Sequence, residues 1–209
     1  MRSQADRAYD LIKAKIVVLD IPPGAILDEE QLAQELKFGR LPIREALQRL
    51  ERDGLVVIQP WRSTYVSEVK LLDLRNICEA RLSVESWSAR LAAERISPSE
   101  LYRLQKSFLH STKGFGHNST TQLIDEELNV HKTIAEASGN KYLLDFISPL
   151  LDLSARIWRM LPNPQACANE IAEHHQQLYQ ALQHRDAVTA EKIVRSDIIC
   201  FWDFVRAQI

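Results

Sequence analysis

The sequence predicts a mainly α-helical protein in which one two-stranded hairpin interrupts the helices within the first third of its 209 residues. Three observations carry this. Apolar residues recur at i, i+3, i+4 and i+7 through most of the chain, the period of one helix face. Two adjacent runs, LVVIQ (55–59) and STYVSEV (63–69), are instead short, β-branched and aromatic, and they read as strands. From residue 71 onward strand signals vanish, and brief Gly, Pro, Ser and Asn breaks separate long periodic segments.

Taken in order, a first helix is expected over 4–18, with Ala8, Leu11, Ile12, the stem of Lys15 and Ile16 along one side. DIPPGAIL (20–27) forces a turn, and Asp28 can cap a second short helix, 29–36, that buries Leu32, Ala33 and Leu36. A third helix follows within a few residues. The two strands come next, joined by PWR with Arg62 at the tip. Helix, helix, turn, helix and hairpin in under seventy residues make a winged helix-turn-helix, a form that sets its third helix in the DNA major groove and its hairpin beside the backbone. Beyond it, helices are expected over 71–96, 98–112, 121–138, 140–161, 165–184 and 186–207. Ser97-Pro98-Ser99-Glu100 is a capping box with proline at the first helical position. KGFGHNST (113–120) reads as the most flexible connection, and SGN (138–140) and PNP (162–164) as short breaks. The sum is an antiparallel all-α bundle of about six helices. The domains divide as 1–69, a linker over 70–77, and 78–209.

Composition bounds the function. With 45% hydrophobic and 26% charged residues the chain has ample material for a core. It has no apolar run of membrane-spanning length, and its polar, amphipathic start is unlike a signal peptide, so a cytoplasmic protein is expected. Cys78, Cys167 and Cys200 are far apart and odd in number, and read as reduced core thiols. The net charge of −2 gives no sign of nucleic acid, and residues 1–69 carry ten Lys/Arg against eleven Asp/Glu. Residues 37–52 differ: Lys37, Arg40, Arg44, Arg49 and Arg52 stand against only Glu45 and Glu51.

That local patch sits on GRLPIREALQRLERDG (39–54). Ile43, Ala46, Leu47 and Leu50 form the buried stripe, Pro42 suits the first turn and Gly54 the stop. Arg44 and Gln48 share the opposite, wet face one turn apart. By itself this is also the pattern of an ordinary solvated face, with Glu45–Arg49 as an i,i+4 pair and Arg52 beside Asp53.

IPPGAILDEEQLAQEL, RLPIREALQRLERDGLV and the closing YV of the hairpin resemble the GntR family of bacterial transcription regulators. RLSVESWSARLAA (81–93), ELNVHKTIAEASGNKYL (127–143) and HQQLYQALQHRDAVTAEKIVRSD (175–197) resemble the FCD ligand-binding bundle of its FadR-type branch. The resemblance covers nearly the whole chain in the family's order. It implies a homodimeric DNA-binding regulator, a repressor by family habit, controlled by a small carboxylate-like effector. Arg40 and Arg44 match the family's DNA-contacting arginines. With Gln48 on the same face and Arg62 and Ser63 at the wing tip they make the expected DNA-binding set. Three departures stand out: Gly39 where Ser or Thr is usual, Leu41 in place of a capping Thr, and Ser63 in place of the wing-tip glycine. Loss of the cap costs of order 1 kcal/mol unless another group, a DNA phosphate included, serves the first-turn N–H groups.

The family's bundle often binds a divalent metal through one Asp and three His. Carried over, those positions fall on Glu127, His131, His175 and Asp197, with His174 where a glutamate is usual. Glu127 and His131, four apart, leave one helix face together, although the same spacing also makes a plain ion pair. Two carboxylates make the site harder than the family's, moving its preference from zinc (Zn) or nickel (Ni) toward manganese (Mn), iron (Fe) or magnesium. Arg81 matches a cavity-facing arginine and is the candidate effector-binding residue, while Glu85 at i+4 offers it an ordinary partner. Trp87, Trp158, Tyr142 and Phe146 are candidates to line the cavity, and Phe201, Trp202 and Phe204 to close the bundle or meet a partner subunit. A helical-bundle metalloenzyme is the competing class. No glutamate precedes a histidine by three as a di-iron site needs, no His-Asp dipeptide occurs, and no phosphate loop or nucleophile motif is present, so no enzyme activity is expected.

Overall fold

The structure, a computed structural model, describes residues 2–60, 62–112, 120–164 and 166–208. It divides into two compact units, Met1–Lys70 and Leu71–Ile209.

The first unit opens with α1 (Gln4–Val17), α2 (Glu29–Leu36) and α3 (Arg40–Arg52). Ser3 and Asp6 form a capping box at the start of α1. Ala8, Ile12 and Ile16 are fully buried on its inner side, whereas Leu11, grouped with them on sequence grounds, is 46% exposed. Asp28 accepts hydrogen bonds from the Glu30 and Gln31 backbones at 2.8 Å and starts α2 as its sequence position foretells. Lys37, at φ +56°, ends α2 and turns the chain within three residues into α3. All four stripe residues of α3, Ile43, Ala46, Leu47 and Leu50, are fully buried. Burying that stripe on α1 and α2 is what fixes the rotation of α3 and keeps Arg44 and Gln48 outward. Gly54, at φ +76°, makes the stop. The wing pairs β1 (Val56–Ile58) antiparallel with β2 (Thr64–Val66), Val57 opposite Tyr65. On its other edge β2 bonds to residues 24–27, where Leu27 N donates to Thr64 O and Gly24 N to Val66 O.

Among the described residues the regular elements of the second unit are all helices: α4 (Leu71–Arg95), α5 (Pro98–Thr112), α6 (Thr120–Ala137), α7 (Lys141–Arg159), α8 (Ala168–Gln183) and α9 (Ala187–Arg206). Residues 71–77, placed with the linker by the sequence, are the first turns of α4. The box at Ser97–Glu100 forms, with the Ser97 backbone N–H donating to Glu100 Oε2 at 2.8 Å. Gly139, at φ +65°, and Asn140, whose Oδ1 accepts from the Tyr142 and Leu143 backbones, break α6 from α7. Helix α4 packs on α9, α7, α6 and α8, so its buried residues face the middle of the bundle. Ala135, Ile147 and Leu151 form a core cluster with Val84, Leu128, Leu143 and Leu144 against it. The connection over 113–119 lies outside the described residues. No helix among those described is long and apolar enough to cross a membrane.

Candidate DNA-reading face and metal centre

On the first unit, the outer face of α3 is as the sequence places it, with Arg40, Arg44 and Gln48 exposed. The two arginines rest on the first turn of α2: Arg44 Nε and Nη2 lie 3.3 and 3.2 Å from Glu29 Oε2, and Arg40 Nη2 lies 2.8 Å from Glu30 Oε1. Such exposed pairs are worth little and yield readily to a phosphate or a base edge. The capping expectation is corrected. Helix α3 begins one residue before Leu41, at Arg40, and its N-cap is Gly39, which offers no side-chain acceptor. Pro42 therefore stands third in the helix, and the amide groups of the first turn keep their positive end open. At the wing tip Arg62 is exposed and Ser63 half-buried, and Gln59 closes the turn by donating to Ser63 O at 3.0 Å and accepting from Arg62 N at 3.1 Å. Trp61 lies outside the described residues.

Arg49 does not pair with Glu45. It donates to Asp6 Oδ1 at 2.7 Å and stacks its guanidinium 4.2 Å above the Tyr9 ring. Asp53 in turn accepts from Tyr9 Oη at 2.5 Å instead of serving Arg52. Arg49 thus ties α3 to α1, apart from the exposed arginines Arg40 and Arg44. The Ser3 side chain and backbone, followed by the Arg49 guanidinium, hold the Asp6 carboxyl down at about 2.

On the second unit, Glu127 and His131 from α6, His175 from α8 and Asp197 from α9 converge. All four are at most 7% exposed, and their donor atoms lie within 4.8 Å of one another. His131 Nε2 faces Glu127 Oε1 at 2.9 Å and Asp197 Oδ2 at 3.0 Å, and His175 Nε2 lies 2.7 Å from Glu127 Oε2. Two further residues join that sequence reasoning left out of the site. Glu85 Oε2 lies 2.6 Å from His131 Nδ1, and His174 Nδ1 lies 3.0 Å from Asp197 Oδ1. Glu85 carried a signal only as a partner for Arg81, because nothing in the sequence tells that its second oxygen meets a histidine on another helix. That Arg81 pair forms in the interior: Nε donates to Glu85 Oε1 at 2.6 Å and Nη2 to Oε2 at 3.3 Å, while Nη1 lies 3.4 Å from Ser154 Oγ. The guanidinium also stands 5.8 Å from the Phe201 ring centre.

The electrostatics follow from this crowding. Burial alone raises Glu127, but His175 and His131 beside it draw it well below the carboxylate range. Burial likewise lowers His131, yet Glu127 and Glu85 hold it well above the usual imidazole value. Glu85, opposed by burial, is brought down to about 2 by Arg81 and then His131. Three buried carboxylates against one guanidinium leave two negative charges to be compensated by protons on the imidazoles or by a divalent cation.

The donor set fits such a cation. Two imidazole nitrogens and two carboxylates at right angles about an ion, with bonds of about 2.1 Å, would stand about 3.0 Å apart. The nitrogen–oxygen separations among the four ligand candidates run from 2.7 to 3.0 Å, close to that spacing and equally the length of charge-assisted hydrogen bonds between the same groups. With Nδ1 against Glu85, His131 Nε2 meets two carboxylate oxygens, and that contact needs positive charge beside them, either the ring's own second proton or an ion.

The aromatic expectations are partly corrected. Trp158 is buried and packs on Phe201 with ring centres 5.4 Å apart. Trp87, Tyr142 and Phe146 are 51%, 69% and 68% exposed and so lie at the surface of the unit. Cys78 and Cys167 are buried and Cys200 half-buried, all free. Burial pushes Cys167 and Cys200 up to about 12, so both stay protonated.

Comparison with known proteins agrees with both units. Residues 4–66 match the model for bacterial regulatory proteins of the gntR family, and residues 76–198 match the FCD domain. The chain is 26% identical over 184 residues to the HTH-type transcriptional repressor RspR of Escherichia coli, covering 88% of this chain and 81% of that protein. It is 28% identical over 197 residues to the HTH-type transcriptional regulator LutR of Bacillus subtilis, covering 82% and 87%. Among solved structures, E. coli McbR/YncC shares the fold at a TM-score of 0.82 and 23% identity, covering 98% of this chain and 99% of that one.

Proposed function

From the premise that this chain belongs to the gntR family, as a DNA-binding transcriptional regulator with an FCD domain and not an enzyme, we propose that it is a homodimeric repressor whose operator affinity is set by a divalent metal and a small carboxylate effector in the second unit. The observation that carries the proposal is the buried convergence of Glu127, His131, His175 and Asp197 from three helices, with two negative charges beyond what Arg81 neutralises.

In this reading α3 enters the major groove. Arg44 exchanges Glu29 for the O6 and N7 acceptors of a guanine, and Gln48, one turn on, reaches the neighbouring pair. Arg40 leaves Glu30 for a phosphate at the helix entrance, where the uncapped amides behind Gly39 favour negative charge. Arg62 and Ser63 bring the wing to the adjacent backbone. Two copies related by a two-fold axis read a near-palindrome.

Glu127, His131, His175 and Asp197 would hold the ion, with His174 steadying Asp197 from its half-exposed position. A bound divalent ion supplies a Lewis-acidic anchor for an effector carboxylate. Arg81, kept on Glu85 by two hydrogen bonds, stands behind the site as its cationic residue. The effector regulates only if it favours one arrangement of the paired winged helices over another, and the chain path for that coupling is residues 67–76 into α4.

The test starts from an operator selected out of a randomised duplex pool with the purified protein. Operator affinity is then measured on chelator-stripped protein, after adding Mn2+, Fe2+, Ni2+ or Zn2+, and with a panel of small carboxylic acids. The proposal expects one metal to change the operator Kd by about 5- to 150-fold, or to make an acid do so. An operator Kd indifferent to every metal and acid would sink it.

A further inference from the structure

We infer that Glu85, on α4, is the positioning residue of the metal centre: it holds His131 through Nδ1, so that Nε2 is the nitrogen offered to the ion. The inference rests on the metal reading above and goes beyond it. All four ligand candidates come from α6, α8 and α9. Helix α4 supplies none, yet it reaches the cluster, with Glu85 Oε2 2.6 Å from His131 Nδ1. With an ion taken up at Nε2 the imidazole keeps a single N–H, and Glu85 against Nδ1 is the acceptor that would receive it, while Nε2 faces Glu127 and Asp197.

Glu85 is itself fixed. Its Oε1 receives Arg81 Nε at 2.6 Å and its Oε2 lies 3.3 Å from Arg81 Nη2, with both residues buried. Swinging in as a fifth ligand would strand a guanidinium in the interior, so Glu85 stays an anchor. Arg81 is held in turn by the Phe201 ring and by Ser154 Oγ on α7. The chain Ser154–Arg81–Glu85–His131 therefore sets the angle of one imidazole from two helices that donate no ligand. Carboxylates that orient a metal-bound histidine in this way typically carry about 10- to 100-fold in metal affinity.

The test uses the full-length, chelator-stripped protein with Mn2+ and Zn2+ as probes. Glu85→Gln replaces the carboxylate facing Nδ1 by a neutral amide, a weaker acceptor, and deprives Arg81 of its counter-charge. Arg81→Met/Glu85→Gln removes both charges together and leaves the ligand set with its own balance. Calorimetric titration is expected to find both variants about 10- to 100-fold weaker than wild type. Nitrogen-15 spectra of histidine-labelled, zinc-loaded wild type are expected to place the His131 proton on Nδ1. Wild-type affinity within about twofold in a folded variant, or a proton on Nε2 with Nδ1 on the metal, would overturn the inference while the metal reading stood. Wild type that binds no metal at all would overturn both. If Glu85→Gln does not fold, the double variant and the wild-type spectrum decide.

Discussion

Arg44→Ala is the substitution that separates a DNA-reading α3 from a merely charged one. In the free protein Arg44 is exposed and shares Glu29 Oε2 through two contacts of 3.2 and 3.3 Å. That pair is worth under about 1 kcal/mol and must be given up on binding. A bidentate guanine contact discriminates by about 1–3 kcal/mol, and a dimer makes it twice. Subtracting about 0.5 kcal/mol for each released pair leaves roughly 1–5 kcal/mol, or about fivefold to several thousandfold in operator Kd. Fluorescence anisotropy on the selected operator and on a scrambled duplex reads it, with circular dichroism to verify the fold. Loss is expected on the operator and much less on the scrambled duplex. Glu29→Gln, which frees Arg44 and removes a negative charge from the DNA face, is expected to tighten the operator complex. A folded Arg44→Ala protein with unchanged affinity and unchanged sequence preference would refute the reading role.

Three other outcomes follow from the same geometry. Arg40→Ala is expected to weaken operator and scrambled DNA alike and to lower the salt slope of log K by about one per half-site, since a phosphate contact carries no sequence information; a loss confined to the operator would assign Arg40 to a base instead. Leu47→Ala empties a fully buried position in the α3 stripe and is expected to cost about 2–5 kcal/mol, lowering the calorimetric transition of the Met1–Lys70 unit while that of the Leu71–Ile209 unit stays in place. Asp6, held at about 2 against an ordinary 3.8, contributes stability that is present above the unfolded value and is lost as pH falls from about 3.8 toward 2; Asp6→Asn should remove that segment of the acid-unfolding profile, and an unchanged profile would mean that the Ser3 and Arg49 contacts do not persist in solution.

The stripe of α3 was legible because a single helix with one buried side repeats every 3.6 residues, and the same holds for the caps at Asp28 and Ser97, where residue type and offset are the mechanism. The start of α3 was less so. Leu41 stands before a proline at the place of a capping threonine, whereas the cap is Gly39, which has no side chain to offer and adopts the extended cap backbone without strain. The inner side of α7 could not be chosen from periodicity, because Tyr142, Phe146, Pro149, Leu150 and Leu153 repeat on one side and Leu143, Ile147, Leu151, Ala155 and Trp158 on another. Only packing on Val84 and Leu128 decides, and it leaves Tyr142 and Phe146 outside. In the candidate site, the four ligand positions came from resemblance and from one i,i+4 spacing. Glu85 and His174 did not, because an outer residue is defined by which atom it touches across helices. Arg49 is hidden for the same reason: its partners Asp6 and Tyr9 lie some forty residues away in the chain.

Four buried side chains from three helices converge, in the proposed reading to hold a divalent ion. Elemental analysis of the full-length protein, purified without chelator, tests that reading most directly, with His131→Ala/His175→Ala prepared in parallel. About one Mn, Fe, Ni or Zn per chain in the wild type, lost in the double variant, is the predicted result. A wild type that carries no metal and takes up none when offered these ions, or a double variant that keeps its full complement, would contradict it.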